Sequence, residues 1–254
     1  MSDHNGRVQV LGTGISITNM AHTLATLENW VAAGSKHYVC VTPVHAVMES
    51  FYDPRLREIL NASGLTVPDG MPLVWAGKIY GKNQMGRVYG PDLMLEACRI
   101  SVKRKFTHFL YGGDLGVAQQ LKANLEKRFP GIAIVGTFTP PFRPLNAQER
   151  EDLRHQVADC RPDFFWVGLG TPKQDHFMHD YLPQLDTRVM LGVGAAFDIH
   201  AGRFNDAPDW IKTSGMQWLY RLCLEPRRLW RRYLIYNPVF VCKFLQQLLN
   251  DRKK

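Results

Sequence analysis

Residues 166–178, WVGLGTPKQDHFM, put bare backbone beside cationic and hydrogen-bonding side chains. Gly168 and Gly170 leave room for a bulky anion to approach free N–H groups, and Lys173 offers a mobile positive charge. Gln174 and Asp175 can hydrogen-bond ribose or sugar hydroxyls. A nucleoside diphosphate sugar fits that set. The same residues also make a plain helix start, with Thr171 as cap and Pro172 in first position, which needs no ligand.

Two other apolar runs end in the same way. FLYGGD at 109–114 brings Gly112 and Gly113, and LGVGAAFD at 191–198 brings Gly194 and Asp198. Each alone is an ordinary turn from strand to helix, but three on one sheet edge predict a shared pocket. A second polar group lies in VTPVHAV (41–47) and LTVPDGMPLVW (65–75), where Thr42, His45 and Asp69 each follow a short apolar run. Asp69, behind Pro68 and before Gly70, is placed to take a proton from an attacking hydroxyl, although Asp-Gly is also common turn chemistry. The early Gly12-Thr13-Gly14 has Ile17 where a dinucleotide fingerprint needs glycine, so a nicotinamide enzyme is not indicated. Phosphate-binding P-loop, Gly-x-Ser-x-Gly and His-Glu-x-x-His patterns are absent from the sequence.

These residues need a scaffold that brings distant loops to one edge. Candidate strands are Arg7 to Leu11, Tyr38 to Val41, Leu65 to Val67, Thr107 to Tyr111, Ile132 to Gly136, Asp163 to Val167 and Arg188 to Val193. Helical spacing appears in Ala21 to Ala33, His45 to Ala62, Pro72 to Tyr80, Leu115 to Phe129 and Ala147 to Cys160. Strand then helix, repeated, predicts a Rossmann-like α/β fold: a parallel sheet with helices on both faces and ligands beyond the strands' carboxyl ends. This α/β catalytic domain is expected over residues 1–203, with residues 204–254 a basic helical appendage.

In the appendage, helices are expected from Pro208 to Tyr220 and from Arg227 to Tyr236, with a break near Glu225 and Pro226 and a restart capped by Asn237. On an ideal helix Arg228 and Arg232 each fall within about 20° of Arg221. Of the net charge of +8, +7 lies in residues 203–254, which hold 11 Lys or Arg against four acidic residues. That asymmetry points to a phosphate-rich partner, either an anionic membrane surface or nucleic acid. Residues 233–249 are too short and polar to span a bilayer, so an interfacial helix or a basic face closing the domain remain as readings. The N-terminal residues carry no signal-peptide pattern, which predicts a cytoplasmic chain. The five cysteines show no Cys-x-x-Cys spacing, so they read as packed thiols and no metal site is expected.

The chain resembles the WecG/TagA/CpsF family of bacterial glycosyltransferases. The resemblance rests on TPVHAVMESFYDPRLREILNASGLTVPDGMPLVWAGK, RVYGPDLM (87–94), FLYGGD, GLGTPKQDHFM, GVGAAFDIHAGRFNDAPDW (192–210) and GMQWLYRLCLEPRRLWRRYL (215–234), in family order. It implies an inverting transferase that uses neither metal nor cofactor. Such an enzyme moves a sugar from a UDP-sugar donor to a polyprenyl-diphosphate-linked saccharide acceptor, in exopolysaccharide, capsule or teichoic-acid-type synthesis. The family's proposed base carries over to Asp69, its threonine to Thr42, and its appendage arginines to Arg221, Arg228 and Arg231. The family's Thr-x-Asn asparagine is replaced by Val44, followed by His45, a departure that bears on sugar or acceptor choice. The resemblance also implies peripheral association with the inner face of the plasma membrane, and a homodimer in exchange with a monomer is compatible with it. The rival reading, a nucleic-acid-binding protein using the basic tail, has no recognised motif behind it.

Overall fold

Segments of four to six residues form eight strands: β1 (Arg7–Val10), β2 (Thr13–Ser16), β3 (His37–Thr42), β4 (Leu65–Pro68), β5 (Thr107–Gly112), β6 (Ala133–Phe138), β7 (Phe164–Gly168) and β8 (Val189–Gly192). The computed structural model describes residues 6–253, apart from the side chains of Asp209, Thr213 and Arg228. Six strands form one sheet in the order β4-β3-β8-β7-β5-β6, and each neighbouring pair is parallel. The helices before the appendage are α1 (Met20–Ala32), α2 (Val44–Tyr52), α3 (Pro54–Ala62), α4 (Met71–Ile79), α5 (Gly90–Arg104), α6 (Val117–Arg128), α7 (Ala147–Cys160), α8 (Lys173–Tyr181) and α9 (Ala196–His200). After them come α10 (Asp209–Thr213), α11 (Gln217–Leu224), α12 (Pro226–Trp230), a π-helical turn (Arg231–Ile235) and α13 (Tyr236–Asp251).

Strand alternation builds two cores. Leu110, Trp166 and Leu191 point to the face covered by α5 and α6, while Phe109, Phe165, Val167 and Met190 point to the face covered by α7 and α8. The chain leaves β5 through α6 toward β6 and leaves β7 through α8 toward β8, in opposite directions along the sheet. The switch point, where open α/β sheets hold ligands, therefore lies at the carboxyl ends of β5 and β7.

Several local expectations change. β1 does not join the parallel sheet but pairs with β2 in a hairpin, whose two turn residues, Leu11 (φ 52°) and Gly12 (φ 87°), both take the left-handed conformation a tight hairpin requires. The expected helix from His45 to Ala62 is two helices, because Asp53 accepts from the N–H groups of Arg55 and Leu56 and Pro54 starts α3. α5 is absent from the expected set because its apolar positions are diluted by Glu96, Arg99, Lys103 and Arg104. The expected restart at Asn237 is not a break: the π-helical turn runs directly into α13 at Tyr236. That helix packs Phe240 and Phe244 against Val8, Val10, Ile15, Val47, Met48 and Leu73, and Gln247 bonds Gln9 O at 2.8 Å and Leu11 N at 2.7 Å.

Candidate active site

The strand order lines the candidate residues along one edge. Asp69 follows β4, Thr42 closes β3, Gly194 follows β8, Gly168 and Gly170 follow β7, and Gly112 and Gly113 follow β5. Adjacent members touch: Asp69 N donates to Thr42 O at 3.1 Å, and Gly113 N donates to Gly168 O at 3.1 Å. The glycines do different jobs. A Cβ on Gly112 would stand 2.7 Å from the Gly168 backbone, and one on Gly168 would stand 2.5 Å from the Phe197 ring, so close packing demands both. Gly170 (φ +73°) meets nothing within 4 Å and is open to an approaching group.

Lys173 is exposed at the first position of α8, beside that opening. Gln174 and Asp175 are instead buried behind it: Gln174 Oε1 accepts from Gly170 N at 3.1 Å, and its Nε2 donates to Thr171 Oγ1 at 3.4 Å. Burial pushes the Asp175 carboxyl up to about 6, although the Cys40 thiol and Thr171 hydroxyl act the other way. Thr42 is buried as well, its hydroxyl donating to Cys40 O at 3.0 Å. Asp198, on α9, lies 3.6 Å from Arg203 and lines a cavity with Tyr89, Asp206 and Arg221.

Asp69 is half-buried, and Gly90 N donates to its Oδ1 at 3.2 Å. Burial raises its carboxyl above the ordinary range; Arg87, the Gly90 N–H and Arg221 pull the other way. Arg87 ties this loop to the appendage. Its Nε donates to Asp69 O at 2.7 Å, its Nη1 to Lys212 O at 2.9 Å and its Nη2 to Gln217 Oε1, while its guanidinium lies 4.3 Å from the centre of the Tyr89 ring. Tyr89 OH donates to Asp206 Oδ1 at 2.9 Å, and Lys212 Nζ is 2.8 Å from the other oxygen. Burial opposes the charge on Arg221, but Tyr233, Tyr89, Glu225 and Asp69 outweigh it and hold the guanidinium above its usual pKa.

The other appendage arginines are placed differently. Arg231 is exposed over the Trp230 ring at 5.4 Å, and the Arg228 side chain lies outside the described residues. Arg232 turns inward instead, its Nη2 donating to Thr171 O at 3.4 Å. His45 faces Arg232 and Arg221; burial first, and those charges second, drive its imidazole down to about 3, so it is neutral at physiological pH. His45 Nε2, Glu49 Oε2 and Asp175 Oδ2 have no hydrogen-bond partner among the described residues.

The geometry thus joins a carboxylate biased toward holding a proton, a charged guanidinium, a neutral imidazole and an uncrowded glycine turn beside an exposed lysine. Arg87, Tyr89 and Arg232 were not among the sequence candidates. Arg87 and Tyr89 lie in RVYGPDLM, whose residue types suggest no role without knowledge of the fold, and Arg232 stands one position past an expected arginine. No group of three or more His, Cys, Asp or Glu able to hold a metal occurs among the described residues.

The profile described as "Glycosyl transferase WecG/TagA/CpsF family" matches residues 8–254. The chain is similar to a Bacillus subtilis protein called N-acetylglucosaminyldiphosphoundecaprenol N-acetyl-beta-D-mannosaminyltransferase, at 28% identity over 93% of each chain. It is also similar to a Bacillus spizizenii protein of the same name, at 30% identity over 73% of this chain and 70% of that one.

Proposed function

The chain belongs to the WecG/TagA/CpsF family of glycosyltransferases, and from that premise we propose that it moves a hexose or N-acetylhexosamine-type sugar from UDP to a polyprenyl-diphosphate-linked saccharide. The names of the two relatives support an acceptor of the N-acetylglucosaminyl-diphospho-undecaprenol kind and a sugar related to N-acetylmannosamine. The observation that carries the reading is the tie between the Asp69 loop and the appendage, where Arg87 bonds Asp69 O, Lys212 O and Gln217 Oε1 and brings the charge of Arg221 to bear on Asp69, at the edge that also holds the open Gly170 turn. Asp69 takes the proton of an acceptor hydroxyl, that oxygen bonds to the anomeric carbon, and the bond from this carbon to the UDP oxygen breaks in the same displacement. Negative charge grows on the departing diphosphate, and Arg221 offsets it; Lys173 holds the phosphates over the uncrowded turn at Gly170. Gln174 and Asp175 set the shape of that turn from below. His45 and Asp198 line the sugar and acceptor side, Thr42 supports it from beneath through its bond to Cys40 O, and Arg228 and Arg231 add positive charge where the appendage meets an anionic membrane.

The decisive experiment follows UDP release with a synthetic polyprenyl diphosphate saccharide and a panel of UDP-sugars, for the parent and Asp69→Asn. The variant is expected to lose on the order of a hundredfold or more in turnover while still binding UDP. Parental turnover in the variant would remove Asp69 from the chemistry, and no turnover by the parent with any UDP-sugar would remove the donor class.

A further inference from the structure

Helix α4 starts two residues after Asp69, and its outer side is apolar. Met71, Trp75 and Ile79 recur at four-residue spacing, so they stack along one side of the helix. Leu73, Val74 and Ala76 bury the other side, while Trp75 is 48% exposed and Ile79 58%. Single apolar side chains on a surface are ordinary, but a row leading away from a candidate base calls for a partner.

Both ends of the row are fixed. At the inner end, a Cβ on Gly215 would stand 3.1 Å from the Trp75 ring and 3.5 Å from Met71, so the turn between α10 and α11 rests against it. Met216, the next residue, is itself exposed. The same stretch of appendage receives Arg87, whose guanidinium bonds Asp69 O, Lys212 O and Gln217 Oε1, all neutral oxygens. At the outer end Tyr80 follows Ile79; its hydroxyl donates to Asp251 Oδ2 at 2.7 Å, and its ring lies 6.1 Å from that of Phe244. From Met71 to Ile79 the helix rises about 12 Å. The row thus leads from the candidate base to α13, whose Val241, Leu245 and Leu249 are exposed.

Resting on the reading that the acceptor is a polyprenyl-diphosphate-linked saccharide, we propose that Trp75 and Ile79 on α4 form the track for the first isoprene units of its tail. The order of the protein fits the order of the ligand. The saccharide hydroxyl belongs at Asp69, the diphosphate where Arg87 brings positive charge, and the tail over Trp75 and Ile79 on its way to α13. Trp75 stands in the corner between α4 and the Gly215 turn, which suits a single flexible chain rather than a flat bilayer. Covering the two side chains removes apolar surface from water on both partners.

The test compares two soluble acceptors, N-acetylglucosaminyl diphosphate with a farnesyl tail and with a methyl tail, in the absence of vesicles and detergent. Turnover with a panel of UDP-sugars is followed for the parent, Trp75→Ala and Ile79→Ser. The parent is expected to favour the farnesyl acceptor on the order of tenfold in kcat/KM. Each variant should lose most of that preference and use the methyl acceptor as the parent does. Ile79, more exposed and farther along α4, keeps the test sound should Trp75→Ala disturb the Gly215 turn. The track is overturned if the parent does not favour the farnesyl tail. It is overturned as well if both variants keep the preference while their co-sedimentation with vesicles falls or stays the same; a fall would give the row to the bilayer instead. Those outcomes leave the transferase reading standing. A parent that uses neither acceptor with any UDP-sugar overturns that reading and the track with it.

Discussion

At Asp175 the carboxyl is buried in a place where its neutral form fits better, and stability should record this. Its pKa of about 6 in the folded chain lies above the ordinary carboxylate value, so the fold binds this proton more tightly than the unfolded chain does. The contribution is complete below about pH 4 and is lost as pH rises through 6. Asp175→Asn, which stays neutral, should therefore stabilise the protein at pH 8 by up to about 3 kcal/mol, with the gain gone near pH 4. Urea unfolding at the two pH values measures it, and an equal difference at both would show that charge burial is not the cause. Spacing in the sequence placed Asp69, Thr42 and the glycine turns at carboxyl ends of strands, because an apolar run followed by a breaker is a local signal. That Gln174 and Asp175 point inward is not local: it depends on α8 lying against Cys40 of β3, whose distance in the chain hides the contact.

Among elements, the appendage shows where periodicity stops being a guide. An ideal wheel groups Arg221, Arg228 and Arg232, yet the chain breaks at Glu225 and Pro226 and then winds a π-helical turn from Arg231 to Ile235. A wider turn shifts register, so which arginine faces inward is set by packing of the turn. Arg232 meets Thr171 O while Arg231 lies out over Trp230. The parallel sheet was readable because each strand carries its own apolar run; the β1–β2 hairpin and the helix that covers it meet only across the whole chain. α13 rests on that union. Phe244 is 7% exposed, with Tyr80 and Phe240 rings 6.1 and 5.8 Å away. Phe244→Ala should cost about 3 kcal/mol in urea unfolding. A loss below about 1 kcal/mol would mean that α13 contributes little to the body's stability.

For the whole molecule, the charge is the main asymmetry: +7 of the net +8 falls in residues 203–254. No helix among the described residues is long and apolar enough to cross a membrane, and on the proposed membrane docking the basic appendage would supply the attraction to the lipid surface. Basic residues near an anionic surface are worth about 1 kcal/mol each. Changing exposed Arg227 and Arg231 to Glu should cut co-sedimentation with anionic vesicles at least tenfold and leave unfolding unaltered. Equal binding by parent and variant, or equal binding to neutral vesicles, would remove lipid charge from the account. α13 then limits how such contact happens. Its phenylalanines are committed to the hairpin and α2, while Val241, Leu245 and Leu249 face outward at 53, 53 and 60% exposure. The helix cannot roll over to sink its aromatic side into lipid without stripping cover from the aliphatic residues beneath. On the proposal that the appendage docks at an anionic membrane, α13 would lie against the headgroups as a keel fixed to its hull, so that Asp69 would ride at a constant standoff from the bilayer and acceptors would be sorted by how far their sugar extends.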